Sequence, residues 1–146
     1  MQLIQIILST TLLASSAVMA APTAGVSMMA AGPQWTIENM KRTCNAANSQ
    51  CTWTFGIEVG TAAATPCTYV VKAADAFQAN GGPATCGAYT ITSGWSGQFG
   101  PGNGFTTLSV VNGDTRQIVW PAYTDNQLAG GKVVKPDQAY APAALP

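Results

Sequence analysis

The chain has 146 residues, with six basic and six acidic side chains, no His and four Cys. This is enough for one domain, and a net charge of zero argues against a nucleic-acid binder or an anionic-membrane coat, both of which need a basic surplus. Without His, no Ser-His-Asp triad, Cys-His pair or His-ligated zinc site can be built.

Residues 1–20 carry no charge; they run Leu3-Ile4-Gln5-Ile6-Ile7-Leu8 and Leu12-Leu13-Ala14 and end Val18-Met19-Ala20. An apolar stretch closed by small residues before a cut after Ala20 is the pattern of a secretory signal peptide, here without the usual basic start. Gln5, Ser9, Thr10 and Thr11 interrupt it, whereas a spanning helix needs ~20 predominantly apolar residues, so stable membrane insertion is not expected. Residues 21–33 are small and non-periodic and read as a flexible leader, which leaves residues 34–146 as a single domain. Charged residues make up 8% of the chain, well below the ~25% usual in soluble domains, which suits an extracellular protein.

From Trp35 the pattern becomes that of strands. Residues 51–59 alternate Cys51, Trp53, Phe55, Ile57 and Val59 with Thr52, Thr54, Gly56 and Glu58, the period of a half-buried strand. Residues 35–37 pair back on it across a turn at 45–50. Strands follow at 67–72 and 88–92; between them, 73–78 suits one short helical turn, broken by Asn80-Gly81-Gly82-Pro83. The strongest hairpin signal is 105–111, Asn112-Gly113, then 116–120; Asn-Gly suits the positive φ angles of a type I′ turn, and Asp114-Thr115 lengthen the loop. Residues 132–135 add a last strand before Pro136, and the C-terminal Ala-Pro-Ala-Ala-Leu-Pro reads as irregular. The sum is an all-β fold, a small antiparallel sandwich or barrel of about seven strands.

Cys44, Cys51, Cys67 and Cys86 are an even set in a secreted chain, hence a disulfide framework. A metal site is not expected, because the spacing lacks paired C-x₂-C knuckles. Three pairings are possible. Cys44–Cys51 with Cys67–Cys86 is favoured because each closes a local excursion between adjacent strands; chain entropy assigns those loops about 2.5 and 3.3 kcal/mol but does not choose the pairing.

The whole supply of carboxylates is Glu38, Glu58, Asp75, Asp114, Asp125 and Asp137. Solvated, turn and capping roles explain them, and nothing in their spacing sets two at the ~5–9 Å that hydrolysis of a glycoside requires. No catalytic residue is assigned, the chain is read as a non-enzyme, and no cofactor is implied. Lys41-Arg42 and Lys132/Lys135 are too few for a heparin or nucleic-acid patch. The segment from Ser93 to Gly104 is glycine-rich but lacks the Gly-Lys-Ser/Thr of a phosphate cradle. It either presents Trp95 and Phe99 to a partner or folds them inward as a cap. Trp120 and Tyr123 are candidates for an aromatic platform of the kind that stacks on sugar rings.

Four stretches carry a family likeness: Cys51-Thr-Trp-Thr-Phe-Gly-Ile, Pro66-Cys-Thr-Tyr-Val-Val-Lys72, the loop from Ser93 to Phe105, and Ile118-Val-Trp-Pro-Ala-Tyr-Thr-Asp125. Together they resemble the small secreted protein elicitors of plant-pathogenic fungi that induce the hypersensitive response, including the rice-blast type. The resemblance covers most of residues 35–146 and brings no catalytic signature. It implies a secreted, disulfide-bonded β protein, monomeric, perceived by a plant cell-surface or apoplastic protein and triggering localised cell death and defence. The alternative is a module that binds a cell-wall glycan through Trp95, Trp120 or Tyr123.

Overall fold

The structure, a computed structural model, describes residues 32–146; the signal-peptide reading of 1–20 and all but the end of the leader lie outside it. Ten strands are present among these residues: β1 Trp35–Cys44, β2 Gln50–Val59, β3 Thr65–Lys72, β4 Gly81–Cys86, β5 Tyr89–Ser96, β6 Phe105–Asn112, β7 Gln117–Val119, β8 Ala122–Thr124, β9 Gln138–Tyr140 and β10 Ala143–Ala144. One short helix, α1 (Asp125–Leu128), follows β8. The strands form two antiparallel sheets, β3-β2-β1-β9 and β10-β7-β6-β5-β4, with β8 also paired to β6.

Strand alternation supplies the core. Cys51, Trp53, Phe55 and Ile57 of β2 point inward, as do Ile91 of β5 and Leu108 and Val110 of β6, and all but the half-cystine join one apolar cluster spanning both sheets. Burying each large aliphatic contributes about 1.5–3 kcal/mol. Polar and aromatic contacts bridge the sheets: the Tyr69 hydroxyl lies 2.8 Å from Ser93 Oγ, and Trp35 meets Tyr89 edge-on at 5.4 Å. The disulfides are Cys44–Cys51 within the β1–β2 hairpin and Cys67–Cys86 between β3 and β4, so the latter ties one sheet's edge to the other's.

One irregularity in β1 matters for the site. Trp35 and Ile37 face inward at odd positions, but the register shifts between Glu38 and Lys41. Asn39 takes φ 51° there, a left-handed conformation asparagine tolerates better than most residues. Beyond the bulge the inward positions are even, Met40 and Arg42. The bulge is clamped from outside: Asp137 Oδ1 accepts from Asn39 N at 2.9 Å and from Lys135 Nζ at 2.9 Å.

The Asn39 amide, then Lys135, holds the Asp137 carboxyl below its ordinary value of 3.8. A depressed carboxylate stabilises the fold above its unfolded pKa and ceases to do so as pH falls from 3.8 through the folded value. In urea titrations across that window, Asp137→Asn is expected to flatten the pH dependence; an unchanged slope would refute the assignment.

Several sequence expectations are corrected. Residues 132–135 are not a strand; only Val134 of them is buried, its N–H bonded to Met40 O at 2.8 Å. The C-terminal tail is instead ordered, with β10 paired to β7 and Arg116 Nη2 donating to Pro146 O at 2.7 Å. Asn80-Gly81-Gly82-Pro83 does not only break a turn, because β4 begins at Gly81. Gly81 packs against the Tyr69 hydroxyl and the Val71 side chain, leaving no room for a Cβ. The 105–120 hairpin exists, yet the positive φ falls at Arg116 (54°) and not at Asn112-Gly113. Asn112 Oδ1 instead accepts from Asp114 N and Thr115 N, closing a four-residue loop.

Candidate functional site: an uncharged sheet face and an aromatic end

Strands β4 to β8 and β10 contain no Asp, Glu, Lys or Arg, whereas β1, β2 and β3 hold Glu38, Lys41, Arg42, Glu58 and Lys72. The outer face of the second sheet is therefore uncharged and carries hydroxyls: Thr92 Oγ1 meets Ser109 Oγ across the β5–β6 pair at 2.6 Å. Trp120 rises beside it. It sits between Val119, paired with Val110, and Pro121, whose carbonyl accepts from Leu108 N at 2.7 Å. Pro121 has no N–H to give the ladder, so β7 and β8 read as one strand interrupted there, and Trp120 stays 54% exposed.

The glycine-rich loop splits its two aromatics. Phe99 is 66% exposed and stacks on Phe105 at 5.7 Å between centroids. Trp95 folds inward at the open end of the sandwich, its indole N–H donating to Asp125 Oδ2 at 2.8 Å and its amide to Asn80 Oδ1 at 3.0 Å. Gly97 and Gly104 crowd the ring: a Cβ on Gly104 would lie 2.7 Å from Cζ2 and 2.9 Å from Nε1. Gly104→Ala is thus expected to cost about 1–3 kcal/mol by overpacking and to shift Trp95 fluorescence; an unchanged spectrum and midpoint would show that the ring is free to move.

Asp125 is placed by local chemistry. Thr124 caps α1 with a reciprocal box, accepting from Gln127 N at 3.2 Å while Gln127 Oε1 accepts from Thr124 N at 2.8 Å. Asp125 N donates to Gly104 O at 2.9 Å, fastening helix to loop. Its Oδ1 then pairs with Arg42 Nη1 at 3.0 Å. Arg42, read from the sequence as part of a weak basic patch, is only 6% exposed. No periodicity marked it, because the bulge at Asn39 changes which positions face inward.

Of the four aromatic candidates, Trp120 and Phe99 are on the surface and Trp95 is half-buried. Tyr123 is 1% exposed and cannot form a platform with Trp120. It is paired with Thr106 on an inward register, where its hydroxyl lies against Tyr140 without a well-formed hydrogen bond. Burial raises its pKa far above the tyrosine range. The carboxylates are also less scattered than their spacing suggested. Glu38 lies within hydrogen-bonding reach of Glu58 on the outer face of the first sheet, which raises its pKa, with slight burial and repulsion adding to the effect. Among the described residues, no three Cys, Asp or Glu gather as a metal site would require.

Residues 36–145 match the family described as Effector TSP1. The chain is also 65% identical over 138 residues, 93% of its length and 94% of the relative's, to Effector TSP1 of Hypocrea virens (strain Gv29-8 / FGSC 10586). The chain belongs to the Effector TSP1 family. It is a fungal effector by that membership, a coarser placement than the likeness to hypersensitive-response elicitors drawn from its motifs. The match begins at Thr36, at the start of the sandwich, and covers both disulfides and the uncharged face. Among the described residues of this TSP1-family chain, no helix is long and apolar enough to cross a membrane.

Proposed function

We propose that this effector is secreted, acts as a single folded chain, and is perceived by a plant cell-surface or apoplastic protein, triggering hypersensitive cell death without substrate turnover. The observation that supports the reading is the uncharged face with Trp120 and Phe99 exposed on a doubly stapled sandwich. Charges on an exposed sheet deter association, and their absence beside solvent-facing aromatics favours a binding surface. Aromatic side chains also dominate interface energetics.

Infiltration of residues 21–146 into leaf tissue, with ion leakage as the readout, tests this. Native protein is expected to cause leakage, a heated and reduced sample to cause none, and Trp120→Ala with Phe99→Ala to weaken it at unchanged thermal midpoint. Silence of the native protein across several hosts would overturn the reading.

One observation favours a second reading, a cell-wall glycan as the partner. The hydroxyls of Thr92 and Ser109 beside Trp120 combine hydrogen-bonding groups with a stacking ring. It predicts retention on insoluble chitin or glucan that Trp120→Ala abolishes; retention unaffected by that change would count against it.

A further inference from the structure

Beside the aromatic end lies a cleft of about 530 Å³ whose walls include Arg42, Asn48, Phe77, Leu128, Gly130 and Gly131. Its size is in the range of small-ligand sites, ~300–1,000 Å³. The lining is built rather than incidental. Asn48, at φ 49° in the β1–β2 turn, accepts from Phe77 N through its side chain at 3.1 Å and from Ala76 N through its carbonyl at 2.8 Å. These two bonds seat a single 3-10 turn, Ala76–Gln78, against the hairpin and set the Phe77 ring at the cleft. On the other side, Gly130 and Gly131 (φ 71° and 68°) turn the chain, and Gly131 passes close to Thr43.

The guanidinium is the unusual element. Arg42 lies over the rings of Trp53 and Phe77, at 5.3 and 5.6 Å from their centroids. Nη1 makes both of its protein hydrogen bonds, to Asp125 Oδ1 at 3.0 Å and to Phe77 O at 3.3 Å. Among the described residues, Nε and Nη2 have no protein acceptor, yet neither is sealed from solvent. A side chain 6% exposed therefore keeps three N–H donors without a protein partner, two of which, Nε–H and one Nη2–H, lie parallel on one planar edge. That edge matches a carboxylate in bidentate geometry. Phe77 and Leu128 supply an apolar wall next to it. Asp125 occupies the opposite edge of the guanidinium, balances its charge and fixes its plane.

We propose that this cleft binds a small organic carboxylate with an apolar or aromatic body, the carboxylate on the Nε–Nη2 edge of Arg42 and the body against Phe77 and Leu128. The site does not depend on the elicitor reading, since it lies apart from Trp120 and Phe99 and is read out without plant tissue.

Phenylacetate is a suitable probe, with 2-phenylacetamide as its uncharged counterpart. Titrated into ¹⁵N-labelled protein, phenylacetate is expected to move the Arg42 Nε–Hε resonance and the Gly130 and Gly131 amides saturably. The amide analogue, which cannot take a charge-assisted fork, is expected to bind at least about tenfold more weakly. Arg42 also holds the fold, so the blocking variant is placed elsewhere. Ala129 lines the same cleft at φ −59° and ψ 140°, a conformation any residue adopts, and Ala129→Trp is expected to abolish the shifts while leaving the thermal midpoint in place. No saturable shift up to ~10 mM phenylacetate, equal affinity for the amide, or full affinity in Ala129→Trp would each overturn the proposal.

Discussion

Asp125→Ala is expected to lower folding stability by about 3 kcal/mol, with the Trp95 emission changing in parallel. The carboxylate makes two bonds at once, to Arg42 Nη1 at 3.0 Å and to the Trp95 indole N–H at 2.8 Å. Removing one partner of a buried pair leaves the other charge uncompensated, a loss of ~3–5 kcal/mol. Asp125 is itself 20% exposed and the cleft admits water to Arg42, which sets the expectation at the low end. For a domain of this size that is roughly a 10 °C fall in midpoint. Asp125→Asn keeps an oxygen for only one of the two donors, sets an amide NH2 against the other and removes the charge, so it is expected to lose nearly as much. Urea and thermal unfolding check both variants; a change within ~0.5 kcal/mol for Asp125→Ala would show that the pair contributes nothing measurable. The consequence for the site is specific: Asp125 holds Trp95 over the end of the sandwich and holds the Arg42 plane toward the cleft.

Replacing both Cys67 and Cys86 by Ala is expected to cost about 3.3 kcal/mol, more than the ~2.5 kcal/mol for the Cys44–Cys51 pair. Loop length gives the order, with 19 residues of separation against 7. Topology points the same way. Cys44 and Cys51 are already opposite one another in the β1–β2 ladder, whereas Cys67 and Cys86 join edge strands of different sheets. Losing the second bridge releases β4 from β3, where Gly81 packs under Tyr69, and exposes two sheet edges to pairing with other chains. Denaturant unfolding of the two double variants, with light scattering as a check for association, decides the order; equal losses would place the effect in strain or residual unfolded structure rather than loop closure. If perception by the plant requires the folded face, the Cys67/Cys86 variant is also the more impaired in ion leakage.

Both predictions concern features that differ in how far they were legible. The disulfide pairing was favoured from sequence because each pair closes a local excursion, and chain proximity governs such closure. Arg42 was not legible. Its neighbour Lys41 and its charge place it on a solvated surface, and only a one-residue shift in β1 turns it inward. The sole local signal was Asn39, a residue type that tolerates left-handed backbone, but asparagine is equally at home in ordinary turns. Among the aromatics, the loop's composition was compatible with Trp95 and Phe99 both inside or both outside. The structure takes one each way, because Gly97 and Gly104 leave a slot for one ring and Phe105 offers the other a place to stack.

Period-two alternation over β2, β6 and β7, the number of cysteines and the shortage of charge determined by themselves an antiparallel β fold stapled by disulfides. These are local quantities, since side chains alternate along a strand whatever it pairs with. Tertiary structure alone decided which sheet each strand entered. It thereby decided that charge-free β4 to β8 share one face, that Tyr123 is core while Trp120 three residues earlier is surface, and that β10 closes an edge. The reason is that burial depends on what lies across the sheet and on where a bulge shifts the register. Asn39 marks such a bulge and changes which residues of β1 face inward, whereas Pro121 costs the ladder an N–H but leaves the register running, with Val119 and Tyr123 inward and Trp120 outward.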